Sequence, residues 1–305
     1  MTQTPIVSSS PAAGSAWPVA VLLFSASLWG LTWWPIKYFA GLGLSGPALV
    51  MLSYGLVGLG TGWLLWRQRA LWRKQAGLVL ALALVGGWAN TSFISAMLLG
   101  DVVRVMFLFY LSPVWAVLGG WLFLKERVPL RRGMAVAMAL PGMWLVVGAG
   151  GDELLGALSL SDWLALSAGL AFAGNNLLAR AAQEVPTQTK TVAVFLGCGV
   201  LATLVVFWQG LPLPSLPAVG WLAVLGYGFG WMLLATATWQ YGVTHLESGR
   251  AGVVLLAELV VAVLTAAWFG GADLSLREWA GGALIAGAAL LETLDTGAGP
   301  ETSKD

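Results

Sequence analysis

One acidic residue in this chain stands where an acid is expensive. Glu258 lies in the apolar run 249–270, eight residues beyond Arg250, and a helix rising ~1.5 Å per residue carries it about 12 Å deeper. In a bilayer that depth is near the midplane, where an Asp costs roughly 2.5–3.5 kcal/mol on insertion scales. A carboxyl kept there can take up a proton or bind a substrate's ammonium group. It can equally be a protonated acid bonded to a neighbouring hydroxyl or backbone group. Three amides, Asn90, Asn175 and Asn176, also fall inside apolar runs. An amide can bind a carboxylate or an ammonium, or tie one helix to the next. Trp29, Trp33, Tyr110, Tyr227, Trp231 and Trp239 lie within such runs rather than only at their ends. Their rings suit an apolar or aromatic guest, and a ring face attracts a cation. These ten residues are the candidate substrate-binding set.

A second group sits at the ends of the runs. Asp101 and Arg104 are three residues apart, as are Glu247 and Arg250, so each pair can meet on one helical face. Each is an ion pair closing a helix end, or part of a gate. Lys37 can snorkel to an interface or serve the same gate. His245, the single histidine, reads as a solvated helix-end residue, with a proton relay as the alternative. Gly58 with Gly62, and Gly226 with Gly230, form G-x-x-x-G and predict close helix approach. The chain has no G-x-x-x-x-G-K-[ST] and no H-E-x-x-H, so neither ATP hydrolysis by a P-loop nor a zincin site is expected. One His and the single Cys198 cannot build a His/Cys zinc site, and Cys198 reads as packing. No cofactor, metal or paired catalytic constellation is expected.

The elements that must position these residues follow from composition. Of 305 residues, 58% are hydrophobic and 10% charged, with 40 glycines and 18 tryptophans. A soluble domain carries about a quarter charged residues, so the solvent implied is lipid. The net charge of +1 gives no field to draw nucleic acid. Residues 1–16 lack the basic stretch of a signal peptide, so the first apolar run is expected to remain as a span. Spans of about 20 residues are predicted over 17–37, 45–66, 76–97, 101–124, 132–149, 162–182, 187–208, 218–244, 249–270 and 278–294. Polar tails are expected over 1–16 and 295–305. With a cytoplasmic N-terminus, twelve of the 15 Lys and Arg residues fall inside, and only Lys37, Arg104 and Arg277 outside. That bias follows the positive-inside rule and places both termini in the cytoplasm.

The connection 150–161 divides the ten predicted spans into two fives, 17–149 and 162–294. The halves match weakly at an offset of about 143–146 residues. Asp101–Arg104 is echoed by Glu247–Arg250, Gly86-Gly87-Trp88 by Gly228-Phe229-Gly230-Trp231, and Lys37 then Ser45 by Arg180 then Thr187. An odd number of spans per half inverts the second half, and inverted repeats commonly build transporters with a midplane site.

Leu28-Trp29-Gly30, Leu111-Ser112-Pro113-Val114, and the turn Leu124-Lys125-Glu126-Arg127 followed by Gly133 resemble the drug/metabolite transporter superfamily, in its EamA-type members. In detail the chain resembles their YddG exporters of aromatic amino acids. The second half departs from the pattern. Ala257-Glu258-Leu259 stands where a proline is usual, and Gly271-Ala272-Asp273 replaces the glutamate turn. The resemblance implies an all-α, multi-pass protein of the bacterial inner membrane that exports aromatic and other apolar amino acids, with no oligomer required. An exporter of other metabolites or lipophilic cations is the alternative within transport, and a membrane-embedded enzyme the alternative outside it.

Overall fold

In hydrocarbon each backbone N–H and C=O must be satisfied within its own segment, so long apolar runs become helices. The computed structural model describes residues 16–112, 114–115, 117–118, 121, 130–148, 158–212, 215–246, 248–271 and 274–295. Among these it is entirely helical, without a strand. The expected tails apart from Ala16 and Asp295, the connection over 150–157, the turn Leu124–Arg127, and Glu247 lie outside the described residues, as does the side chain of Arg250.

The first half contains α1 (Ala16–Gly30), α2 (Trp33–Gly41), α3 (Gly46–Thr61), α4 (Trp63–Arg67), α5 (Arg69–Trp72), α6 (Ala76–Leu99), α7 (Val102–Phe109) and α8 (Leu130–Gly148). The second contains α9 (Leu160–Ala181), α10 (Thr187–Trp208), α11 (Ala218–Leu225), a π-helix over Gly226–Met232, α12 (Leu233–His245), α13 (Ser248–Phe269) and α14 (Leu276–Asp295). Among the described residues, five stretches are long and apolar enough to cross a membrane: Ala16–Gly41, Gly46–Arg67, Arg69–Leu99, Thr187–Trp208 and Ala218–His245. Gly133–Val146 and Val254–Phe269 are shorter apolar helices.

Local chemistry sets the starts and breaks. The Ser45 hydroxyl accepts from Ala48 N–H, and Ser159 with Asp162 forms a reciprocal capping box. The first run is broken at Leu31–Thr32, where Thr32 N–H turns to Trp29 O and Trp34 N–H to Leu31 O. Pro35 lacks the donor that would continue the ladder. Helix α7 stops at Phe109, and Pro113 has no N–H for the Phe109 carbonyl.

The packing maps onto itself when the halves are exchanged. Helix α1 lies against α12 and α13, as α9 lies against α6 and α7. Helix α10 lies against α6, as α3 lies against α11 and the π-helix; α7 meets α8 as α13 meets α14. Three pairs are self-matched: α3 with α10, α7 with α13, and α8 with α14. Within the first and third of these pairs the contacts run antiparallel. Gly55 faces Gly199 while Gly58 faces Phe195 and Leu196; Gly142 faces Leu284 and Ile285 while Gly281 faces Leu145 and Val146. Glycine supplies this closeness: a Cβ on Gly87 would lie 2.6 Å from the carbonyl carbon of Gly197.

The glycine reading needs one correction. Gly58 does pack on a neighbouring helix, but a Cβ on Gly226 or Gly230 would meet nothing within 4 Å. The π-helix turns that pair towards open space.

Candidate functional site

Three backbone irregularities surround Glu258. At the break between α1 and α2, Gly30 rests on α13, and a Cβ there would lie 2.6 Å from the Glu258 carbonyl oxygen. Just past the break, Trp33 Nε1 donates to Thr265 Oγ1 at 3.0 Å. At the end of α7, the Tyr110 hydroxyl donates to the Leu255 carbonyl at 3.3 Å and interacts with the Glu258 carboxyl. On the π-helix, Trp231 Nε1 lies 3.2 Å from the Leu28 carbonyl and 3.3 Å from Thr32 Oγ1, tying the second half to the break. Irregular backbone at membrane depth is tolerated only where protein buries it or it lines a cavity. Glu258 is half-buried on α13.

Beside this carboxyl is a set of rings. Phe109 has ring centroids 4.7 Å from Phe93, 5.3 Å from Phe172 and 5.8 Å from Tyr110. The three phenylalanines were not among the sequence candidates. Their spacing gives no signal, because they come from α6, α7 and α9. The amides lie one helical turn from those rings along α6 and α9. Asn90 Nδ2 donates to its own helix at Gly86 O, 2.9 Å away. Asn175 Oδ1 is buried against Gly86 without a hydrogen-bond partner in the structure, and Asn176 is half-buried beside it. Tyr227 packs on Phe39, with ring centroids 5.4 Å apart, and its buried hydroxyl has no partner. Trp29 packs half-buried against the main core, while Trp239 is half-buried on α12, eight residues past Trp231.

The expected side-chain pair between Asp101 and Arg104 is replaced by two separate roles. The Asp101 carboxylate caps α7 by accepting from the Arg104 backbone N–H at 2.9 Å. The Arg104 guanidinium instead grips Asp162 of α9 through two bonds of 2.8 and 2.9 Å. Three-residue spacing at a helix start favours the cap, because the backbone N–H there is an orphan donor. Asp162 is 2% exposed and was missed; its one signal was the capping pattern Ser159-Leu-Ser-Asp162. Lys37 does not end its helix, which continues to Gly41, and its ammonium lies 3.4 Å from Gly100 O. His245 is the exposed last residue of α12, bonded to Tyr241 O and stacked on that ring. Cys198 is fully buried.

The arrangement brings one acid, a phenol and several rings together between two matched halves. No group of metal-binding side chains is found among the described residues. Comparison with known proteins agrees with that frame. One uncharacterized transporter from Archaeoglobus fulgidus is 24% identical over 213 residues, covering 70% of this chain and 75% of the relative. The uncharacterized transporter YwfM of Bacillus subtilis is 28% identical over 182 residues, 57% of this chain and 58% of that one. One solved crystal structure superposes with a TM-score of 0.60 at 22% identity, over 95% of this chain and 100% of the other, a likeness of fold. The EamA-like transporter family model matches residues 16–148 and again 159–294, once per half, and the chain belongs to that family.

Proposed function

We propose that this transporter carries amino acids with aromatic or other apolar side chains out of the cytoplasm by alternating access. The observation that carries the reading is the Tyr110–Glu258 contact, made between the self-matched α7 and α13 and flanked by Phe109. A carboxylate suits the ammonium group and the rings suit the side chain. Ten spans in two inverted fives are supported by the antiparallel matched pairs, because an axis that reverses helix direction lies in the membrane plane. Cytoplasmic termini in a bacterial inner membrane are supported by the charge split. On this reading the Arg104–Asp162 grip and Lys37 sit at the outer mouth.

The test is flux in proteoliposomes across amino acids, nucleotide sugars and organic cations, with and without a pH gradient. Aromatic amino acids are expected to move, and Glu258→Gln to abolish any gradient-driven component. A second reading, lipophilic cations, is favoured by one observation: the described contacts of Glu258 include Tyr110 but no basic side chain. Flux of cations without amino acids establishes it and overturns the first. Chemical conversion of substrate in detergent would instead indicate an enzyme.

A further inference from the structure

A groove lies on the seam between the two halves, and Glu258 is not among the residues that line it. Pro35, Tyr38 and Phe39 of α2 form one wall, and Gly226, Gly230 and Trp231 of the π-helix form the other. It holds about 280 Å³ of free space. Gly226 and Gly230 form part of its lining without a side chain. With no atom within 4 Å of a Cβ at either position, the protein itself leaves the groove unfilled. A π-helix widens the turn, and such segments concentrate at functional positions.

We propose that the groove is a binding site for the hydrocarbon chain of a membrane lipid. It is continuous with the lipid-facing surface, since Trp34, Tyr38, Leu222, Leu225 and Phe229 beside it are all exposed. In a bilayer such a surface is already covered by acyl chains, which are as apolar as the groove's own lining. An unfilled groove would forfeit the dispersion contacts of both walls. A zwitterionic substrate fits poorly. The Trp231 N–H is already engaged by Leu28 and Thr32, the Tyr227 hydroxyl is buried, and an unpaired charge could not be desolvated there. A chain in the groove touches α2 of the first half and the π-helix of the second, so it braces the seam between them.

The experiment reconstitutes the full chain in phosphatidylethanolamine vesicles containing a phospholipid with a diazirine in its acyl chain. After illumination, adducts are mapped by mass spectrometry. Adducts on 35–39 and 223–231 should exceed those on Phe207, an equally lipid-facing control, about fivefold, a preference of roughly 1 kcal/mol. Gly226→Leu with Gly230→Leu should fill the groove and bring the ratio to one, with labelling at Phe207 unchanged. The milder pair Gly226→Ala and Gly230→Ala should lower it part of the way. Labelling in the wild-type chain no higher than at Phe207 overturns the proposal, leaving ordinary surface lipid. Protection by phenylalanine overturns it in favour of substrate, and cross-links joining two copies at these residues in favour of a dimer contact.

Discussion

Gly87→Ala should loosen the seam between α6 and α10, and its cost can be worked from the contact itself. The new Cβ would lie 2.6 and 2.8 Å from the Gly197 carbonyl carbon and oxygen, and 2.9 Å from Cys198 N. All three are backbone atoms of a regular helix and cannot rotate away. Ordinary contact begins near 3.4 Å, so the helices must part by about 0.8 Å. Overpacking of this kind costs about 1–3 kcal/mol. Alanine also favours a helix over glycine by about 1 kcal/mol, which hides part of the clash. Gly226→Ala supplies the control, because its Cβ meets no atom within 4 Å. The difference between the two variants then isolates the clash, a change of about 5- to 150-fold in the unfolded population. Cys198 gives the assay: it is the single cysteine, fully buried, and it sits in this seam. A thiol-reactive fluorophore should label Gly87→Ala at lower temperature than wild type, and Gly226→Ala at the same or higher temperature. Equal melting of the two variants would refute the packing argument.

Other expectations use the same thermal readout. Asp162→Asn keeps the shape but loses the charge that Arg104 grips, and charged hydrogen bonds contribute about 1.5–3 kcal/mol; a melting temperature within error of wild type would show that the grip adds no stability. Trp33→Phe removes the bond to Thr265 at a cost of about 0.5–1.5 kcal/mol, and an unchanged melting temperature would count against it.

Helix positions were legible because apolar runs between charges are long and unambiguous. The run predicted over 187–208 forms α10 over those same residues, and the run over 218–244 forms Ala218–His245. The breaks were not legible as breaks, since averaging hydropathy over 20 residues hides one missing hydrogen bond. Pro35 and Pro113 were the available signals. Glu258 stood out because a buried acid is costly wherever it falls. Phe93, Phe109 and Phe172 did not, because apolar residues in an apolar protein carry no contrast. The Arg104–Asp162 grip joins residues 58 apart, and only the packing of α7 on α9 brings them together. The two G-x-x-x-G patterns look alike in sequence, yet Gly58 packs on α10 while Gly226 and Gly230, on the π-helix, face open space.

The repeat provides the frame, and the proposed site lies where its two copies differ. Setting Leu111-Ser112-Pro113-Val114 against Leu256-Ala257-Glu258-Leu259 in sequence puts Pro113 opposite Glu258. In sequence the first half has a proline four residues past the end of α7; the second keeps α13 unbroken and carries Glu258 within it. The break leaves Tyr110 as the residue that ends α7, where its hydroxyl reaches Leu255 and the Glu258 carboxyl. If break and acid form one unit, their contributions to flux cannot be independent. Tyr110→Phe keeps the ring and removes only the hydroxyl, so it should lower flux. Combined with Glu258→Gln it should add little beyond that change alone, because coupled neighbours fail additivity by about 0.5–3 kcal/mol. Losses that multiply in the double variant would separate the phenol from the acid and leave Tyr110 a structural residue.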